Sequence, residues 1–182
     1  MNVCGKVRFR ARGLVLLELL VAGCVLAVLA AIAVPSFAAI SERVKLRTAA
    51  DALTTSLYAA RGEAYRRGGH VTIARSMSTG CESRDGPSQW QCGWIVFADA
   101  DEDGTRDADE DLIQAGHPPQ GVEVTQTSGR PFLKLNAWGQ FNGLTGLRFV
   151  VRSRTNASAV SAICISSGGR VQTWPGVDKC PA

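Results

Sequence analysis

At 182 residues, 46% of them hydrophobic and 20% charged, the chain has room for one membrane-spanning helix and one globular domain large enough to bury a core. Its formal charge of +4 equals the four cations of the first dozen residues, so the remainder is near neutral, which excludes nucleic-acid binding by bulk polycation character. The only two histidines, His70 and His117, stand far apart in loop-like contexts, and no Gly-x-Ser-x-Gly elbow or phosphate-binding glycine loop occurs, so the chain is predicted not to be an enzyme.

The N-terminus carries the strongest signal. Lys6, Arg8, Arg10 and Arg12, with no acidic residue among them, precede Gly13, and Leu14 to Val34 is apolar or small except for Glu18. Roughly 20 apolar residues in a helix cover about 30 Å, enough to cross a bilayer, and the leader cations hold the start of the span in the cytoplasm. An ordinary secretory signal, cut after the apolar run near Ala38, is the alternative, and Ala-Val-Pro at residues 33–35 imitates its cleavage site. It leaves Glu18 unexplained. A carboxylate early in a span costs about 2.5–3.5 kcal/mol on insertion scales and needs a neutralising partner. If the leader is cut between Gly13 and Leu14, the new α-amino group of a neighbouring subunit is that partner.

Gly13, Glu18 at the fifth position after such a cut, and Pro35 at the twenty-second together resemble the class III signal of type IV pilins and type II secretion pseudopilins. Leu14 and Val15 depart from the Phe and Thr that this family prefers. The resemblance implies a prepilin peptidase that cuts after Gly13 and methylates Leu14. It also implies a single pass through the inner membrane, a periplasmic C-terminal domain, and partnership with other pilin or pseudopilin subunits and an inner-membrane assembly platform. The expected segments are 1–13, leader; 14–35, spanning half of the helix; 36–68, its periplasmic half; and 69–182, a β-rich globular region.

After Pro35, which should kink the helix by removing a backbone donor, the helical period resumes. Leu46, Ala50, Leu53, Leu57, Ala60 and Ala64 form one narrow apolar stripe, whose alanines predict close approach of a sheet, and Gly68 and Gly69 end the helix. Glu63 is read as a surface or capping charge. Eight short runs bounded by Gly, Pro, Ser or Asn then read as strands: 71–74, 94–98, 111–114, 122–126, 132–135, 146–152, 162–165 and 170–173. The fold class is therefore α+β, a long N-terminal helix packed on antiparallel sheets. Trp94 is expected in the core, and Trp90, Trp138 and Trp174, beside turns, read as lids over it or as exposed stacking surfaces, the lids favoured because aromatic residues bury large areas. The segments Arg61 to Gly68 (R-G-E-A-Y-R-R-G), Cys92 to Asp99 (C-G-W-I-V-F-A-D) and Gly168 to Val171 (G-G-R-V) resemble the GspH/FimT branch of the pilin family, consistent with a pilin-like domain.

Four of the six cysteines lie beyond the span, an even number that fits disulfides in an exported domain. Short separations suggest Cys81 with Cys92 and Cys164 with Cys180, among three possible connectivities; without Cys-x-x-Cys or clustered His, zinc has little support. Asp99, Asp101, Asp103, Gly104 and Glu110 match the spacing of an EF-hand calcium loop, although the flanks read as strands and Arg106 stands where such loops carry an apolar residue. A solvated hairpin is the competing reading, and no other cofactor is expected.

Acidic residues dominate from Cys81 to Gly129, whereas Arg130, Lys134, Arg148, Arg152, Arg154, Arg170 and Lys179 are followed or joined by Asp178 alone. Two functions follow. The first is a minor pseudopilin or pilin that joins or initiates a type II secretion pseudopilus or a type IV pilus. The second is DNA capture for uptake, since some FimT-like pilins bind DNA through a C-terminal Gly-Arg-x-Arg motif. Here that motif reads Gly169, Arg170, Val171, Gln172, lacking the second cation, which Lys179, Arg152 and Arg154 replace only if they converge on Arg170.

Overall fold

The computed structural model describes residues 12–77, 86–141 and 146–181, with the side chains of residues 12–15 and 33–36 outside that description. One α-helix, α1, runs from Arg12 to Arg67, and eight strands follow: β1 (Val71–Arg75), β2 (Trp94–Ala98), β3 (Leu112–Gly116), β4 (Val122–Gln126), β5 (Phe132–Leu135), β6 (Leu147–Ser153), β7 (Val160–Ile165) and β8 (Val171–Pro175). The chain divides into two units between Ser41 and Glu42. In the first, the apolar residues from Leu16 to Ile32 are exposed along the helix, and α1 is long and apolar enough to cross a membrane. The expectations placed on the side chains of Gly13, Leu14 and Pro35 fall outside the described residues.

In the second unit the strands form two four-stranded antiparallel sheets, ordered β3-β2-β1-β5 and β4-β6-β7-β8. Period-two alternation sorts their residues. Leu147, Phe149 and Val151 of β6 are buried, while Arg148, Val150 and Arg152 face away. The helix contributes Leu46, Ala49, Ala50, Leu53, Leu57, Ala60 and Ala64, all buried in one core cluster with residues of both sheets. Three- and four-residue spacing keeps these positions on one face of the helix.

Polar side chains lock the helix to each sheet. Trp94 Nε1 donates to Ser56 Oγ at 2.8 Å, satisfying the indole inside the core, and Tyr58 Oη donates to the Val171 carbonyl at 3.1 Å. Trp90 is fully buried and meets the Phe149 ring edge-on, with centroids 5.1 Å apart. Trp138 and Trp174, expected as lids, are instead 71% and 39% exposed. Trp138 stands in the turn after β5, where Asn136 Oδ1 accepts the backbone N–H groups of Trp138 and Gln140 and so directs the chain back before the indole can reach the core. Trp174 stands on β8, an edge strand on which every residue after Val171 is exposed.

The helix ends as its glycines dictate. Gly68 and Gly69 adopt φ of +77° and +106°, and Gly69 N–H donates to the Ala64 carbonyl. Just before this stop, Glu63 accepts from Arg66 Nε at 2.8 Å and from Arg67 Nε at 2.9 Å, and Arg67 also reaches Asp111 at 3.1 Å, tying the last turn to the residue before β3. The two guanidiniums, Arg66 first, hold the Glu63 carboxyl down at about 2. The folded state therefore binds this proton more weakly than the unfolded chain, so the stabilisation is complete above the ordinary glutamate range and is lost as pH falls toward 2. Glu63→Gln should lower unfolding stability by about 1 kcal/mol at neutral pH, after allowance for solvent screening. Denaturant unfolding should show this gap closing between about pH 4.5 and pH 2.

Candidate functional site

Three regions carry the residues singled out from sequence. The first is the apolar stretch of α1, where Glu18 is exposed among Leu16, Leu17, Leu19 and Leu20.

The second is the outer face of the β4-β6-β7-β8 sheet. Arg148 and Arg152 project from β6, with Glu123 and Thr125 beside them on β4, because Glu123 pairs with Arg152 and Thr125 with Val150 in the antiparallel register. After β8 the chain turns at Gly176, and Cys180 bonds to Cys164 of β7 with the Cα atoms 5.8 Å apart. This disulfide is the one expected. Cys92 is also disulfide-bonded, while its expected partner, Cys81, lies outside the described residues. The bonded tail brings Asp178 and Lys179 onto a surface depression lined also by Glu123, Thr125, Arg148 and Arg152. An adjoining depression is lined by Arg148, Arg170, Gln172, Trp174 and Cys180 among others.

Arg152 and Lys179 thus share one depression and Arg170 lines the next. The residue common to both is Arg148, whose buried Nε has no hydrogen-bond partner among the described residues. Two cations are already engaged: Arg152 lies 3.7 Å from Asp178, and Arg154 lies 3.1 Å from Glu123.

The third region is the acidic segment, which forms the loop of the β2–β3 hairpin, with strands on both flanks as expected. Asp99 is fully buried, its Oδ2 accepting from Thr72 Oγ1 of β1 and from Gly104 N–H at 3.2 Å. Gly104 has φ +86°, and a Cβ there would stand 2.7 Å from the Phe132 ring, so only glycine fits. Carboxylate oxygens of Asp99, Asp101 and Asp103 come within 4.8 Å of one another. Glu110 does not belong to this group: its Oε1 accepts from Ala100 N–H at 2.8 Å and its Oε2 from Asp107 N–H at 3.0 Å, so it closes the loop's backbone. Desolvation, together with the charges of Asp103 and Asp101, pushes the Asp107 carboxyl up.

Comparison with known proteins decides the family. Residues 49–169 match the family model described as type II transport protein GspH. The chain belongs to the GspH family. No curated protein sequence matches it. Two crystal forms of the type IV minor pilin FimU from Pseudomonas aeruginosa PAO1 resemble it in fold. The P21 form has a TM-score of 0.60 at 20% identity and covers 75% of this chain and 93% of that one. The P65 form has a TM-score of 0.54 at 18% identity, covering 71% and 93%. The fold is therefore that of a pilin.

Within this GspH-family chain, two arginines owe their placement to contacts distant in sequence. Arg148 was one of many scattered cations, and only the strand register puts it between the two depressions. Arg61, on the helix, donates to the carbonyls of Gly139, Gly168 and Gly169, fastening the turn before β8. No local pattern announces a guanidinium whose partners lie 78 and 108 residues away. Gly169 has φ +77°, and a Cβ there would meet the Gly139 carbonyl at 2.9 Å and Arg61 Cζ at 3.0 Å. Gly169→Ala should therefore lower stability by about 1–3 kcal/mol, through strain and displacement of Arg61, measured as a lower urea midpoint with an unchanged m-value.

Proposed function

We propose that this chain is a minor pilin or pseudopilin, cut after Gly13 by a prepilin peptidase, held in the inner membrane by the first part of α1 and inserted into, or initiating, a pilus or secretion pseudopilus. The observation that carries this reading is the division of labour along α1. From Leu46 onward its apolar face is covered by sheets, whereas Leu16 to Ile32, followed by Phe37, Ile40 and Val44, leaves apolar side chains uncovered. Lipid covers such a surface before assembly, and the helices of neighbouring subunits cover it afterwards. Glu18, exposed within that stretch, is tolerable once a neighbour's terminal amine pairs with it. Mass spectrometry of the mature chain should find an N-terminus at methylated Leu14. Glu18→Ala should leave membrane insertion intact and reduce incorporation into sheared filaments at least tenfold; a mature start near Ala38 would refute the proposal.

DNA capture is a second reading, favoured by Arg148, which lines both depressions on the outer face of the β4-β6-β7-β8 sheet with a buried Nε that has no partner among the described residues. Asp178 and Glu123 weaken it by pairing with Arg152 and Arg154. Few phosphates can then be neutralised, and affinity grows with their number. In gel-shift assays the full processed chain in detergent should retard duplex DNA of any sequence weakly and only at low salt. Arg148→Ala and Arg170→Ala should each flatten the salt slope by about one unit. Tight binding that either substitution abolishes would promote DNA capture to the leading function.

A further inference from the structure

The geometry points to a calcium site in the β2–β3 hairpin, formed by the carboxylates of Asp99, Asp101 and Asp103. Its buried member is Asp99. Two donors converge on its Oδ2, but Oδ1 is buried and has no hydrogen-bond partner among the described residues, an arrangement that folding avoids unless something else meets the charge. Asp101 and Asp103 bring two more carboxylates to the same place from the exposed side.

The nearby cations do not neutralise this group. Arg106 donates to the Glu110 carbonyl, Lys134 to the Glu102 carbonyl, and His70 faces the Glu102 carboxylate at 3.2 Å. Among the described residues no ion pair includes Asp99, Asp101 or Asp103. Three carboxylates therefore share one place with no ion-pair partner among the described residues.

All the donors are oxygen, with no Cys or His among them, which selects a hard cation over zinc or copper. Oxygens within 4.8 Å of one another can be bridged by a cation with bonds of about 2.4 Å, the calcium distance; magnesium would require a tighter, near-octahedral set. Water completes the shell. The site departs from an EF-hand at its twelfth position, because both Glu110 oxygens are held by backbone N–H groups. Without that bidentate ligand the affinity falls to the weak regime of extracellular modules, with Kd about 0.1–1 mM. Bound calcium would fix the loop against β1 through Asp99 and Thr72, so occupancy should register as domain stability.

The test uses the full processed chain in detergent micelles, stripped with a chelator and titrated with calcium chloride alone, and read by calorimetry and thermal unfolding. A single saturable binding event is expected, with Tm rising about 3–6 °C at ten times Kd. Magnesium and sodium chloride at matched ionic strength should produce a smaller shift. The double variant Asp101→Asn/Asp103→Asn keeps the side-chain oxygens that accept from Asp103 N–H and Thr105 N–H, so it should fold. It should bind calcium at least tenfold more weakly while its metal-free Tm stays equal to or above that of the parent. Absence of saturable heat up to about 10 mM calcium, ten times the weakest expected Kd, overturns the site. So does an equal shift in the double variant, or a sodium chloride response as large as that to calcium.

Discussion

The close approach of two sheets to one helix face governs this domain. Ala49, Ala50, Ala60 and Ala64 sit where larger side chains would hold the strands away, while Leu53 and Leu57 fill the space between them. A four-stranded sheet with one apolar face needs a covering layer, and here both sheets share the same helix. Beside this face runs a second row at helical spacing. Thr54 faces Thr173, Tyr58 bonds the Val171 carbonyl, Arg61 holds the Gly168 and Gly169 carbonyls, and Tyr65 lies under Gly139. Residues 54, 58, 61 and 65 recur at four, three and four, so one helix flank positions β8 and the turn that precedes it. The basic surface depends on that alignment, because Arg170 lies in this turn and Trp174 on this strand.

Charge segregation in the sequence becomes a partial segregation by sheet, with Lys134 of β5 on the acidic side and Glu123 of β4 on the basic one. The acidic loop belongs to the hairpin β2–β3 of one sheet, whereas Arg148, Arg152 and Arg170 are carried by strands or turns of the other. Each surface is tied internally before any partner arrives. Lys134 and Thr72 fasten the acidic loop to its own sheet, and Asp178 and Glu123 temper the arginines of the other. Such pre-ordering lowers the entropy lost on binding and also limits how much free charge a partner meets.

The elements were legible because they rest on local chemistry. Most strands are short runs rich in β-branched or aromatic residues between turn formers, with β3 (L-I-Q-A-G) the poorest, and the helix stripe follows from periodicity, with Ala49 the one member left out. The exposed tryptophans were not legible. An indole next to a turn is buried or exposed according to which way the turn directs it, and for Trp138 the side chain of Asn136 decides. Glu110 shows a limit of motif spacing. Its position fits a ligand, yet two backbone N–H groups reach its oxygens first. Arg61 and Arg148 acquire their significance from residues distant in sequence, through the docking of α1 against the turn before β8 and the register of β4 and β6.

The Cys164–Cys180 bond ties the last residues to β7, and with them Asp178, the acid that faces Arg152. Disulfides form and persist in oxidising compartments, so the bond cannot be assumed during synthesis. Before oxidation, the segment after Pro175 keeps only links such as the bond from Gly176 N–H to the Val160 carbonyl, and Asp178 is no longer confined near Arg152. Because the same tail carries both Asp178 and Lys179, its loosening would release Arg152 from its acid without a net gain of positive charge on this face. The pairing of Arg152 with Asp178 thus depends on a covalent bond that only an oxidising compartment sustains, and so on the compartment as much as on the chain.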